Sequence, residues 1–314
     1  MCLSGGQGRR KGTRAWSAFH PDLRLAALLA PRRAVTPRTL PVIRFLSKAI
    51  RGSGAQVVDL GDGVSVRVFR PAKVADRSPV LLWIHGGGYV IGCAAQDDAL
   101  CRRYAYRLGV TVVSVDYRLA PEHPYPIPLE DCVRALEWTV RQPETDPDRI
   151  VVGGASAGAG LAAALAIRAR DRGLVTPVFQ LLVYPMLDDR TVTGPENLRL
   201  WDPECNRFGW SSYLGGADPE EAVPARCTDL RGLPPAWIGV GGNDLFLQEN
   251  RDYAERLADA GVPCALHVVD GAFHGFDLVS ARSAVARIFF ETQCTAVDAV
   301  LRPDYRWDSS VSDR

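Results

Sequence analysis

From residue 56 onward, short runs of nearly unbroken apolar residues alternate with longer segments whose apolar residues recur every three or four positions. No other feature constrains the fold as much. VSVRVF (64–69) alternates with period two, which predicts a half-exposed strand. VLLWIH (80–85) is continuously apolar, which predicts a strand covered on both faces. VTVVSV (110–115), RIVVGG (149–154), VFQLLVYP (178–185), AWIGVGG (236–242) and CALHVV (264–269) predict further strands. Between them, 100–109, 129–140, 157–170, 249–261 and roughly 281–301 carry helical spacing. This alternation predicts an α/β fold: a mostly parallel sheet with helices on both faces. In such sheets chemistry gathers at the carboxyl ends of the strands.

The flanks read differently. Residues 1–14 read as a disordered tail, with Arg9, Arg10, Lys11 and Arg14 as a solvated basic run. Residues 15–50 hold two short apolar segments, around Leu23–Leu29 and Val42–Ile50, that read as helices lying over another element. Residues 187–232 break the strand–helix rhythm and read as an insertion of the kind that builds substrate pockets. Residues 302–314 read as a C-terminal tail.

Composition narrows the function classes. A net charge of +1 over 314 residues gives no global field toward nucleic acid or an anionic membrane. No apolar run reaches the roughly 18–20 residues that span a bilayer, and the first thirty residues lack a signal peptide's order. Cys2, Cys93, Cys101, Cys132, Cys205, Cys227, Cys264 and Cys294 form no C-x-x-C pair and no zinc spacing. They read as reduced thiols of a cytoplasmic protein, with Cys205 and Cys227 the pair most open to a disulfide.

Gly154-Ala155-Ser156-Ala157-Gly158 matches G-x-S-x-G, after a predicted strand and before a predicted helix. Glycines there permit a sharp turn that projects the Ser156 hydroxyl, and the helix N-terminus adds positive potential. A Gly-rich turn with a capping serine is the alternative. A serine hydroxyl needs a base to take its proton. Of five histidines only His267 and His274 follow Ser156. His267 lies within a strand, whereas His274 lies in the loop DGAFHGF and can reach back over Ser156. Asp244 leaves the end of the strand AWIGVGG and suits the acid that would orient His274. Asp270 and Glu249 are its rivals. Asp270 is only four residues from His274, and Glu249 reads as a charge at a helix N-terminus.

His85-Gly86-Gly87-Gly88-Tyr89 follows another predicted strand. Three ordered glycines cost chain entropy, which suggests backbone N–H groups that approach a ligand closely. The candidate oxyanion donors are Gly87, Gly88 and Ala157. A phosphate loop would want G-x-G-x-x-G or a following Gly-Lys-Ser/Thr, and neither is present. His85 reads as a residue that orients the loop.

HGGGY (85–89), DYRLAPEHPYP (116–126), GASAG (154–158), LPPAWIGVGGND (233–244) and HGF (274–276) occur in that order. Together they resemble the hormone-sensitive-lipase-like family of α/β-hydrolases, which includes bacterial carboxylesterases and arylacetamide deacetylases. The resemblance covers about residues 56–301. It implies an eight-stranded sheet in a catalytic domain over 51–301. It also implies a helical cap from residues 15–50 and an insertion at about 187–225. It implies metal- and cofactor-free hydrolysis of short- to medium-chain acyl esters through an acyl-enzyme, with Ser156, Asp244 and His274 as triad. A small-molecule ester is the implied partner, and the resemblance allows a homodimer. An amidase or deacetylase with the same triad is one alternative. A non-catalytic binding protein, as in the gibberellin receptors that resemble this family and lack the histidine, is another. Ala155, Ala159 and LFLQEN after Asp244 depart from the family pattern, which leaves the substrate range open. DYRLAPEHPYP reads as rigid scaffold, with Asp116 and Arg118 paired beneath the site. Trp201, Phe208 and Trp210 read equally as pocket wall or as cap core.

Overall fold

Alternate residues of the strand Ser78–Ile84 face opposite ways, and both faces are buried. Val80, Leu82 and Ile84 join one apolar core, while Leu81 and Trp83 join the other. The side-chain period of two places them so, and coverage on both faces explains why the run carries no polar alternation. The protein is described by a computed structural model over residues 16–50, 52–71 and 77–302. The expected N-terminal tail at 1–14, and all of the expected C-terminal tail at 302–314 except Arg302, lie outside these residues.

One eight-stranded sheet has the order β1-β2-β4-β3-β5-β6-β7-β8. The strands are β1 (Gln56–Gly61), β2 (Val64–Phe69), β3 (Ser78–Ile84), β4 (Thr111–Asp116), β5 (Thr145–Ala155), β6 (Phe179–Val183), β7 (Ala236–Gly241) and β8 (Cys264–Val269). β1 and β2 are antiparallel, as are β2 and β4, and the pairs from β4 through β8 are parallel. β1 is the one strand that no expected segment marked. It sits at the sheet edge with most of its residues exposed, so it carries no apolar periodicity to read.

On one face, α4 (Ile127–Val140) contributes Leu129 and Leu136, α5 (Ala157–Arg172) contributes Leu161 and Leu165, and the helix Leu247–Asp259 contributes Tyr253 and Leu257. On the other face lie α3 (Asp98–Leu108) with Tyr104, and the C-terminal helix Ala284–Leu301 with Phe289 and Val297. Gly109 ends α3 in the left-handed conformation, φ +68°, where a glycine carries no Cβ penalty.

The N-terminal segment and the insertion meet over the carboxyl ends of the strands. Helices α1 (Arg24–Leu29) and α2 (Leu40–Lys48) flank a stretch bonded to the insertion. Leu200 N–H donates to Pro31 O at 2.8 Å, and Ala34 N–H to Leu200 O at 3.3 Å. Arg33 pairs with Asp202 at 2.8 Å, and Cys205 Sγ donates to Val35 O at 3.0 Å. The insertion contributes α6 (Pro203–Leu214), whose N-cap Asp202 accepts from Glu204 and Cys205 N–H groups. The seven described cysteines are free, Cys205 and Cys227 among them.

Two expectations from the sequence need correction. Arg118 does not pair with Asp116. Its guanidinium makes a forked contact with buried Asp131 (2.6 and 2.9 Å), which also accepts the Arg118 backbone N–H at 2.9 Å. Three bonds on one planar carboxylate outweigh a single contact to a neighbour. Asp116 instead accepts from Ala94 N–H at 2.8 Å. Glu249 is more than a helix-terminal charge. Buried in the first turn of α7 (Leu247–Asp259), it accepts from Leu187 N–H at 2.7 Å and from the Thr191 hydroxyl, and so holds the start of the insertion. Burial pushes its carboxyl well above the usual range.

Candidate active site

Ser156 stands between β5 and α5 with φ +57° and ψ −121°, a conformation that costs an L-residue strain. The fold imposes it from both sides. Ser156 N–H donates to Val183 O at 2.8 Å, and its carbonyl accepts from Gly160 and Met186 N–H groups at 3.0 and 3.1 Å. The flanking glycines are required by close approach. A Cβ at Gly158 would stand 2.1 Å from Ile84 O, and one at Gly154 would stand 2.5 Å from the same atom. The G-x-S-x-G spacing is thus the footprint of β3 and α5 crossing at backbone distance.

Ser156 Oγ lies 2.9 Å from His274 Nε2, and His274 Nδ1 lies 2.8 Å from Asp244 Oδ2. Asp244 is fully buried, and its other oxygen accepts from Phe246 N–H at 2.9 Å. The carboxylate therefore fixes the ring with its proton on Nδ1, leaving Nε2 free to accept from the serine. Tyr184, Phe246 and Trp201 surround the imidazole, at 4.9, 5.1 and 6.4 Å between ring centroids. The rival residues stand elsewhere. Asp270 is exposed, and His267 packs against the Trp237 and Phe289 rings, where burial lowers its pKa.

The glycine loop reaches the same point. Gly87 and Gly88 have φ +130° and +58°, and Gly86 lies so close that a Cβ there would stand 3.3 Å from the Ser156 Cβ. Among the described residues the N–H groups of Gly87, Gly88 and Ala157 donate no hydrogen bond. Free donors on the loop that shares a cavity wall with Ser156, and on the residue that follows it, are suited to an anionic oxygen. His85, fully buried, donates from Nδ1 to Gly86 O at 2.8 Å and stacks on Tyr117. Burial lowers its pKa, so it holds the loop as a neutral ring.

A cavity of about 400 Å³ opens over Ser156 and His274, with Gly86–Gly88, Val35, Tyr184, Leu200 and Trp201 in its wall. Of the three aromatic candidates only Trp201 lines it. Trp210 packs against Tyr89 and Tyr213, and Phe208 packs on the core. Asn243 and Tyr184 carried no sequence signal. Asn243 donates to Ala18 O at 2.8 Å, while His20 N–H donates to Gly271 O at 3.0 Å. Residues 18–20 thereby brace the Asp244 loop and the His274 loop together. No group of three or more metal-ligating side chains occurs among the described residues, and no described helix is long and apolar enough to cross a membrane.

Known proteins share this framework. A family model described as alpha/beta hydrolase fold matches residues 81–278. Esterase LipI of Mycobacterium tuberculosis is 40% identical over 259 residues, covering 78% of each chain. Ethyl acetate hydrolase of Pseudomonas putida is 34% identical over 239 residues, 69% of this chain and 72% of that one. Among solved structures, a bacterial heroin esterase superposes with a TM-score of 0.83 at 37% identity, covering 91% of this chain and 99% of its own.

Proposed function

Because the chain belongs to the α/β-hydrolase family, we propose that it is a serine carboxylesterase acting through an acyl-enzyme. The observation that carries this reading is the continuous relay from Ser156 Oγ through His274 to buried Asp244, beside three unpaired backbone N–H groups. Ser156 attacks the ester carbonyl as His274 Nε2 takes its proton. The oxyanion lies against the N–H groups of Gly87, Gly88 and Ala157. His274 then protonates the departing alkoxide, and water deprotonated by His274 releases the acid. Asp244 stabilises the imidazolium in both halves. Names of relatives such as carboxylesterase NlhH of Mycobacterium tuberculosis, 37% identical over 254 residues, support the same class.

The contacts between residues 31–35 and 199–205 support reading the N-terminal segment and the insertion as one cap over the catalytic domain. A cavity of about 400 Å³ walled by Trp201 suits short and medium acyl chains. Seven free thiols support a reducing compartment such as the cytoplasm. The intact relay argues against a binding protein that has no use for a base.

The test is hydrolysis of p-nitrophenyl acetate, butyrate, octanoate and palmitate by the wild type and by Ser156→Ala. Turnover of the shorter esters that disappears in the variant is expected. A folded wild type that turns over none of them would overturn the reading. An aryl ester beside its matching anilide separates an esterase from an amidase.

A further inference from the structure

The wall of the catalytic cavity contains a carboxylate that the hydrolytic relay does not use. Asp97 lines that cavity together with Ser156 and His274. It also lines a second cavity of about 270 Å³, whose wall includes Asp277, Arg103 and Phe290. The two cavities share Gln96, Asp97 and Leu278, so they adjoin along that edge.

Both carboxylates are placed unusually for this chain. Outside the relay, the buried aspartates Asp98 and Asp131 sit on guanidinium groups, Asp98 on Arg67 at 2.6 Å and Asp131 on Arg118 at 2.6 Å, while Asp277 is half-buried. Asp97 and Asp277 make no ion pair within 4 Å among the described residues. Asp97, only 4% exposed, accepts one hydrogen bond among the described residues, from the Trp83 indole N–H at 2.8 Å to Oδ2. It occupies the N-cap position of α3, yet its side chain makes no capping bond to that helix. A capping role therefore does not account for it. Asp277 accepts from the Tyr184 hydroxyl at 2.9 Å. Arg103, a cation in the wall of the second cavity, holds its guanidinium 3.9 Å over the Phe290 ring rather than on either carboxylate.

Two acids without an ion pair beside a substrate cavity carry an electrostatic cost that a proton relieves at low pH and that an arriving cation can relieve once they ionise. Burial pushes the Asp97 carboxyl up to about 6 and raises that of Asp277 as well. The aromatic wall adds to the fit, since Tyr184 and Trp201 line the catalytic cavity and ring faces attract alkylammonium groups.

We propose that this double cavity selects esters whose acyl or alcohol part carries an ammonium group, with Asp97 and Asp277 receiving the cation while Ser156 engages the carbonyl. The inference rests on the esterase reading and adds a substrate class to it. The two carboxylates bind; they take no part in bond making.

Matched ester pairs test it. On the alcohol side the pair is acetylcholine and 3,3-dimethylbutyl acetate. On the acyl side it is the p-nitrophenyl esters of 4-(trimethylammonio)butanoic acid and 5,5-dimethylhexanoic acid. Within each pair the shape is held and only a fixed charge changes. For at least one pair, kcat/KM of the wild type is expected to be about tenfold or more in favour of the cation. In Asp97→Asn/Asp277→Asn, which keeps acceptors for Trp83 and Tyr184, that ratio is expected to fall toward one, mostly through KM. A wild-type ratio near one in both pairs would overturn the inference. So would a ratio that persists in the double variant. Equal loss on both members of a pair would mean that the carboxylates act on His274 instead, and would also overturn it. Calorimetric binding of phenyltrimethylammonium, which has no ester bond, separates this inference from the esterase reading. Binding that weakens at least tenfold in the double variant supports the cation site even if no ester is turned over. Its absence in a wild type that hydrolyses neutral esters refutes the site alone.

Discussion

Asp244→Asn exchanges one oxygen for an amide nitrogen at the most enclosed point of the relay. Asp244 Oδ1 accepts from Phe246 N–H at 2.9 Å and Oδ2 faces His274 Nδ1 at 2.8 Å. In the variant the carbonyl oxygen keeps the Phe246 bond, because turning the amide would set two donors against each other in a fully buried place. The NH2 group then faces Nδ1 and makes it an acceptor. The ring proton moves to Nε2, which can no longer take the proton of Ser156. The base is lost while the geometry stays, so kcat should fall by about 10⁴-fold, equivalent to roughly 5 kcal/mol in the barrier. The assay is steady-state hydrolysis of p-nitrophenyl butyrate, with thermal unfolding to confirm that the variant is folded. A folded Asp244→Asn within about tenfold of the wild-type kcat would refute both the assignment of the acid and the tautomer argument.

Three further outcomes follow from the same geometry. Ionising Asp97 in the folded protein is disfavoured, because burial raises its carboxyl from 3.8 to about 6. Stability should fall as pH rises between these values, by up to roughly 3 kcal/mol once both states are ionised. Asp97→Asn should therefore be more stable than wild type in urea unfolding at pH 7.5, with the difference shrinking toward pH 4; a variant less stable at pH 7.5 contradicts this. Gly88→Ala places a Cβ 2.0 Å from Trp201 Cη2 at φ +58°. It should lower kcat by on the order of 100-fold as the loop and its N–H groups shift, and unchanged kcat would argue against Gly88 as a donor. Trp201→Ala should cost about 3–5 kcal/mol of stability and move the chain-length optimum of p-nitrophenyl esters to longer acyl groups; an unmoved optimum would exclude Trp201 from the acyl pocket.

Much of the fold was legible because the core strands are covered on both faces and so carry almost no polar residues. AWIGVG matches β7 for that reason, whereas VSVRVF marks β2 by its alternation of buried and half-buried residues, and CALHVV marks β8 by its apolar run although that edge strand is mostly half-buried. β1 was not legible, because an edge strand with exposed side chains leaves no apolar pattern. At the site, Ser156, Asp244 and His274 stood out as polar residues where strands end and glycines gather. Their distances did not, since 118 residues separate Ser156 from His274 and 30 separate His274 from Asp244.

Periodicity and chain order, both local properties, were enough to mark seven of the eight strands, the main helices between them and the polar residues at the carboxyl edge. Which partner each charged side chain takes was decided only by tertiary packing. Arg118 found Asp131 rather than Asp116, Glu249 took up the start of the insertion, and Asp97 was left facing two cavities with no ion pair among the described residues. Those outcomes depend on distances between segments far apart in the chain. A hydrogen bond is chosen by the geometry of both partners, and only the folded chain brings both to one place.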